Sequence, residues 1–375
     1  GRAWSAKDKT FLPGTETMGK KTVRQANMEL LRMIAMMGIT ILHILYWNDA
    51  FLLGTNEITG LRIAGSVLES LCVPVVATYV MISGYYDTGI ELRPARLLRL
   101  LAEVWFYSLG IHLLLRPAGQ IPSGESIWEL ARYILPVMMG HYWFVTAFVV
   151  MELFAPLLAA AVDQVSEKTL RGIVAGLLIY ESVLKTVLPF QLTQDHQGYD
   201  LCFFLLLFLI ASYLRKYGAP KLLSGKWRAF LLYGASCVVI AAVQIGAAFL
   251  HARTGSFSYL VDSPFHYNYL FAVTASIGLF LGFRELRVPE GKAAAFIRSL
   301  SPLTFGVYLI QCHADLLPGW PQLLAKLTGV SAKTTPAPIF FLWVIGCAAF
   351  VFAVCSVVDA LRRIMFDGVE KLCRR

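Results

Sequence analysis

The sequence predicts an all-α integral membrane protein with about ten transmembrane helices and with N and C termini cytoplasmic. Three observations carry that expectation. The mean hydropathy is +0.62. Of the 375 residues, 57% are hydrophobic and only 15% are charged. The basic residues sit in short segments between long apolar runs rather than being spread along the chain. A water-soluble body of this composition would expose large apolar patches that drive association. Lipid removes the conflict, and in lipid an isolated strand leaves its backbone groups unsatisfied, so the spans are helices.

A helix crosses the hydrocarbon layer in about 20 residues. Spans are expected at roughly 29–48, 66–86, 96–115, 142–161, 170–189, 199–217, 229–250, 267–284, 300–317 and 338–360, each bounded by Pro, Gly or charge. A polar segment, 1–27, precedes a single polytopic domain over 28–375. No small-residue cleavage site follows the first apolar run, which is expected to stay as an anchor. Met18 reads as a natural start behind an extension over 1–17. Between the spans, 23 Lys and Arg fall on the side of the N-terminus and six on the other, a bias that puts both ends inside. The segment 127–139 is too short and too interrupted to span, and is expected as an interfacial or re-entrant helix on the outer face.

Several function classes are excluded early. The net charge is +9, but no basic run with interleaved aromatics marks a nucleic-acid surface. The seven cysteines are scattered without a CxxC pair and read as small buried hydrophobes. No Walker A, GxGxxG, GxSxG or HExxH pattern occurs. Any chemistry therefore lies within the membrane body, and no catalytic metal is expected.

The first span carries the informative pair. Asn27 is a plausible N-cap, and Arg32 and His43 stand eleven residues apart. At about 100° per residue they return to nearly one face, separated by about 16 Å along the axis. Ionisable groups inside a membrane are expensive and generally face a cavity. For His43 the bland alternative is a ring bonded to a neighbouring carbonyl; for Arg32 it is a juxtamembrane charge that only sets topology. Arg93, Arg96 and Arg99, spaced three apart, are read as sharing one face at the start of the third span, either as a phosphate clamp or as topology determinants.

The R-x10-H pattern formed by Arg32 and His43 resembles the signature of the membrane acyltransferase-3 family, and further segments support the likeness in order. These are Glu29-Leu-Leu-Arg32, Tyr79-Val-Met-Ile-Ser-Gly-Tyr85-Tyr86, the arginines 93, 96 and 99, and Tyr142-Trp143-Phe144 with Pro156. Gly198-Tyr199, Ala211-Ser-Tyr-Leu-Arg215 and Thr304-Phe-Gly-Val-Tyr-Leu-Ile310 follow. The resemblance covers roughly 27–360 and is nearest to Gram-positive cell-surface polysaccharide O-acetyltransferase-like members. One departure is Gln311, where many relatives carry His; His313 lies nearby. The likeness implies a bacterial plasma-membrane enzyme that moves an acyl group, acetyl from acetyl-CoA in the first instance, to a hydroxyl of a carbohydrate or lipid-linked glycan of the cell envelope.

The chemistry can be reasoned beside the resemblance. Transfer from a thioester to a hydroxyl needs a base that titrates near neutrality, which suits histidine. CoA phosphates suit arginine forks. His43 is thus expected as general base, with an acyl-histidine intermediate left open. Arg32 is expected as the catalytic partner of His43 and, with Arg93, Arg96 and Arg99, at the acyl-CoA phosphates. Glu69, Tyr85, Trp143, Gln311 and His313 are candidate acceptor contacts, and Glu69, Glu103, His112 and Glu152 equally serve as interhelical hydrogen-bond partners. His141, Tyr142 and Trp143 read first as interface aromatics. Lipids are the other expected partner, and self-association is left open. The competing readings are a small-amino-acid permease, resembling the membrane half of membrane-bound serine racemases, and an assembly partner in glycan export.

Overall fold

The computed structural model describes residues 24–53, 57–86, 89, 91–116 and 126–373. The expected start at Met18 and most of the polar N-terminal segment lie outside the described residues. Every regular element among the described residues is helical. In chain order these are α1 (Ala26–Trp47), α2 (Gly60–Cys72), α3 (Pro74–Tyr86), α4 (Pro94–Leu115), α5 (Ile127–Ile134) and α6 (Trp143–Gln164). Next come α7 (Glu167–Leu178), α8 (Leu184–Val187), α9 (Leu201–Tyr217), α10 (Lys226–Thr254), α11 (Ser258–Asp262) and α12 (Leu270–Arg284). The chain closes with α13 (Lys292–Leu300), α14 (Thr304–Gln311), α15 (Trp320–Thr328) and α16 (Ala337–Cys373).

Seven helical stretches among the described residues are long and apolar enough to cross a bilayer: α1, α2 with α3, α4, α6, α10, α13 with α14, and α16. The other three expected spans are helical but short or broken. A π turn, Ile179–Val183, joins α7 to α8, while α9 and α12 run for 17 and 15 residues. The eighth-to-ninth region also shifts. Helix begins at Lys292 and stops at Gln311, because Ser301-Pro302 is absorbed as a tight turn between α13 and α14 rather than starting a new span. Segment 127–139 folds as the short α5, closed by a capping box between Ser126 and Glu129.

Asn27 does not cap its own helix. Its amide donates instead to the carbonyls of Phe283 at 2.8 Å and Arg284 at 3.1 Å. It thereby satisfies orphan acceptors at the end of α12 and fixes the start of α1 beside it. Packing between neighbouring helices is close because small residues let backbones approach, the usual device where lipid supplies no hydrophobic drive between helices. A Cβ on Gly84 of α3 would lie 2.8 Å from the Phe208 backbone of α9, and one on Gly278 of α12 would lie 2.7 Å from Tyr233 of α10. Facing outward, α10 and α16 expose Leu231, Val238, Leu342 and Leu361, the surface expected to meet lipid.

A buried polar knot ties α16 to α4. Arg362 lies 3.0 Å from Glu103 and donates to Asp359 at 2.7 Å, and the Tyr107 hydroxyl donates to Asp359 at 2.8 Å. Glu103 therefore serves an interhelical ion pair.

Candidate active site

On α1, Arg32, Met36, Ile39 and His43 follow at intervals of four, three and four residues, which is one helical stripe. Met36, Ile39 and His43 line a cavity of about 140 Å³, a size that elsewhere admits a benzene-sized guest. Its other walls are aromatic: Tyr79 from α3, Trp143 and Phe144 from α6, and Tyr308 from α14. The imidazole of His43 thus borders a partly open cavity among aromatic rings. Beside it stand the Cys312 thiol, 4.0 Å from Nδ1, and the Gln311 amide, close enough to interact with the ring. Gln311 is itself held in place: its Nε2 donates to Met36 Sδ at 3.3 Å, and its backbone carbonyl accepts from Trp320 Nε1 at 3.0 Å.

At the other end of the stripe Arg32 is ion-paired with Glu29 one turn earlier. Glu29 is buried, and accepts from Ser301 Oγ at 2.5 Å while Arg24 approaches at 3.5 Å. A ladder of hydroxyls connects this pair to the cavity. Thr304 Oγ1 donates to the Ser301 carbonyl at 2.8 Å and lies 3.3 Å from the Tyr79 hydroxyl. Polar groups therefore run alongside α1 from the guanidinium to the cavity wall.

The three arginines of α4 do not share one face. Three residues fall short of a full turn by about 60°, so six residues leave Arg93 and Arg99 about 120° apart. Arg93 and Arg96 line a cleft of about 30 Å³ with Glu152 of α6, and Arg96 lies 3.5 Å from that carboxylate. Arg99 turns to α16 and pairs with Asp367 at 3.3 Å. Of the expected acceptor contacts, Trp143 lines the His43 cavity and stacks on Tyr267 at 5.6 Å. Tyr85 packs on Phe280, and Glu69 sits on α2; neither lines that cavity.

His313 belongs to a second group next door. Its Nε2 donates to the Ser108 carbonyl at 2.9 Å, and its Nδ1 accepts from the Asp315 backbone at 3.2 Å, so both nitrogens are engaged. Asp315 accepts from Tyr133 at 2.5 Å and pairs with His112 at 2.9 Å. Burial raises the Asp315 carboxyl, but these hydrogen bonds outweigh it and hold the group below its ordinary value. Burial pushes the His313 ring down. His141 bridges the two groups: its ring lines the His43 cavity and lies 4.6 Å from that of His313. Sequence reasoning set His141 aside as an interface aromatic, and only the fold, by folding the turn 135–142 against 312–315, brings it to His43.

Among the described residues, Glu181, Asp200 and Cys202 bring potential metal-ligand atoms within 4.8 Å of one another. They lie outside the His43 cavity.

A family profile described as an acyltransferase domain matches residues 25–360. The chain belongs to the acyltransferase-3 family. The match spans the cavity, both histidine groups and Arg32, Arg93, Arg96 and Arg99, and it does not favour the permease alternative. Comparison with curated proteins and with solved structures finds no match. This acyltransferase-3 protein is thus a multi-pass membrane acyltransferase by family and by architecture.

Proposed function

We propose that this membrane acyltransferase takes an acyl group, acetyl in the first instance, from cytosolic acyl-CoA and passes it to a hydroxyl of a cell-envelope saccharide at a bacterial plasma membrane. The observation that carries the reading is the stripe on α1: an arginine at one end, and a histidine bordering a partly open cavity about 16 Å away along the axis. With the arginine end at the cytoplasmic face, as the positive-inside bias suggests, phosphates held near Arg32 and Arg96 leave a pantetheine arm to reach along the hydroxyl ladder. The thioester would then lie beside His43. His43 accepts the hydroxyl proton as the oxygen attacks the carbonyl carbon, the C–S bond breaks, and the proton returns to the CoA sulfur. Aromatic walls exclude water, which guards the thioester against hydrolysis.

The test is release of CoA thiol from acetyl-CoA with a glycoside as acceptor, using the full chain in nanodiscs. His43→Ala should lower turnover about 10²–10⁴-fold with acyl-CoA affinity nearly unchanged. Turnover within about tenfold of the parent would remove His43 as base.

A further inference from the structure

Among the side chains that line the His43 cavity, Cys312 carries the thiol. The residue is partly exposed, whereas Cys72, Cys237, Cys347 and Cys355 are buried. Helix α14 stops at Gln311, so Cys312 is the first residue past it, with its backbone N–H still tied to the Tyr308 carbonyl at 2.9 Å. From that position its Sγ approaches the His43 ring, 4.0 Å from Nδ1. The contact is long, as contacts between a nucleophile and its base often are before substrate tightens them. Gln311 lies close enough to interact with the same ring. A nucleophile, a base and a third group beside the base are the parts of an acyl-transfer centre.

The size of the cavity points the same way. A volume of about 140 Å³ admits one benzene-sized guest at a time. An acyl group fits, but the thioester end of pantetheine and a sugar ring do not fit together. A side chain that holds the acyl group between the two substrates lets each be handled in turn. Sulfur suits that task, because exchange of one thioester for another keeps the acyl group activated. Thiol and imidazole are both mostly neutral near a pH of about 7 at their ordinary values, so the thiol proton moves to the ring as the new carbon–sulfur bond forms.

We infer that Cys312 is a catalytic nucleophile that carries the acyl group from the donor to the acceptor, with His43 as its base. The inference rests on the acyl-transfer reading above and divides that transfer into two half-reactions. In the first, Sγ attacks the thioester carbonyl carbon while its proton moves to His43. The C–S bond to CoA breaks, and the CoA thiolate takes the proton from His43. In the second, the acceptor oxygen attacks the carbonyl carbon of the acyl-Cys312 thioester while its proton moves to His43. The C–S bond to Cys312 breaks, and the Cys312 thiolate takes the proton. Nothing is oxidised or reduced, and the pair returns to its starting state.

The test gives acetyl-CoA to the full chain in nanodiscs without an acceptor. CoA thiol should appear in a burst stoichiometric with protein, and peptide mapping should place the acetyl group on Cys312, labile to neutral hydroxylamine. Cys312→Ala should keep the parent's thermal midpoint, take up no acetyl and turn over with methyl glucoside at least about 10²-fold more slowly. Cys312→Ser should take up acetyl slowly and hold it as an ester that neutral hydroxylamine leaves in place. A side chain that only packs against His43 would do neither. An active parent without the burst, an acetyl group mapped to His43, or a Cys312→Ala protein within about tenfold of the parent overturns the assignment. A parent that releases no CoA thiol with or without methyl glucoside sinks the acyl-CoA reading itself. That outcome is distinct from an active parent that fails the Cys312 tests, which leaves direct transfer to the acceptor in place.

Discussion

The two ends of the α1 stripe solve opposite problems. At the arginine end three cations have a carboxylate close by: Arg32 with Glu29, Arg96 with Glu152, Arg99 with Asp367. At the imidazole end His43 and His141 border a cavity walled by aromatics. Charge that must be held in or near lipid is balanced in place, whereas the two imidazoles lie among aromatic rings. On the proposed reading, the arginine end spends its interactions on position and the imidazole end on chemistry.

The sharpest way to break this contrast is to remove the balancing charge. Glu29→Leu strips Arg32, Arg24 and Ser301 of a shared, buried partner. The expected loss is about 3 kcal/mol of stability, because an arginine is left uncompensated. The double variant Glu29→Leu/Arg32→Leu should recover part of it. Thermal unfolding in nanodiscs reads both, and a Glu29→Leu loss below about 1 kcal/mol would show that Arg32 finds water instead.

The second prediction concerns the imidazole end. His141 and His313 have folded-state values below the ordinary histidine value. Below pH of about 6.5 the unfolded chain therefore binds protons that the folded one refuses. Their contribution is fully present above that pH and is lost as pH falls from about 6.5 towards the folded values. Each ring costs up to about 1.4 kcal/mol per pH unit in that window. The thermal midpoint should fall between pH 7.5 and 5.5, and His141→Gln should flatten the slope. A slope that the substitution leaves unchanged would mean that His141 protonates freely in the folded protein.

The same contrast explains what could be read from the sequence. The Arg32–His43 spacing, the Glu29–Arg32 pair one turn apart and most of the helices follow local periodicities, which survive in a linear text. His141 was not legible as a site residue, because its neighbours come from residues 313–315, far along the chain. The single face assigned to Arg93, Arg96 and Arg99 failed on arithmetic: small angular deficits accumulate over six residues until the side chains address different helices. Asn27 misled because capping side chains reach across a bundle as readily as along a helix.

The arginines of α4 supply the smallest expected effect and the finest distinction. Arg99 and Asp367 are both 62% exposed, so Arg99→Ala should shift stability by less than about 0.5 kcal/mol. Arg96 is half exposed against a largely buried Glu152, and Arg96→Ala should cost about 1 kcal/mol. Acyl-CoA affinity separates the two further. A guanidinium that grips a CoA phosphate contributes a charge-assisted bond, so its loss should raise the acyl-CoA dissociation constant about tenfold. Arg96, in the cleft between α4 and α6, should show that rise, and Arg99, turned towards α16, should show little. Equal and negligible changes at both would leave these arginines with topology as their task, and would move the phosphate contact to Arg32 alone.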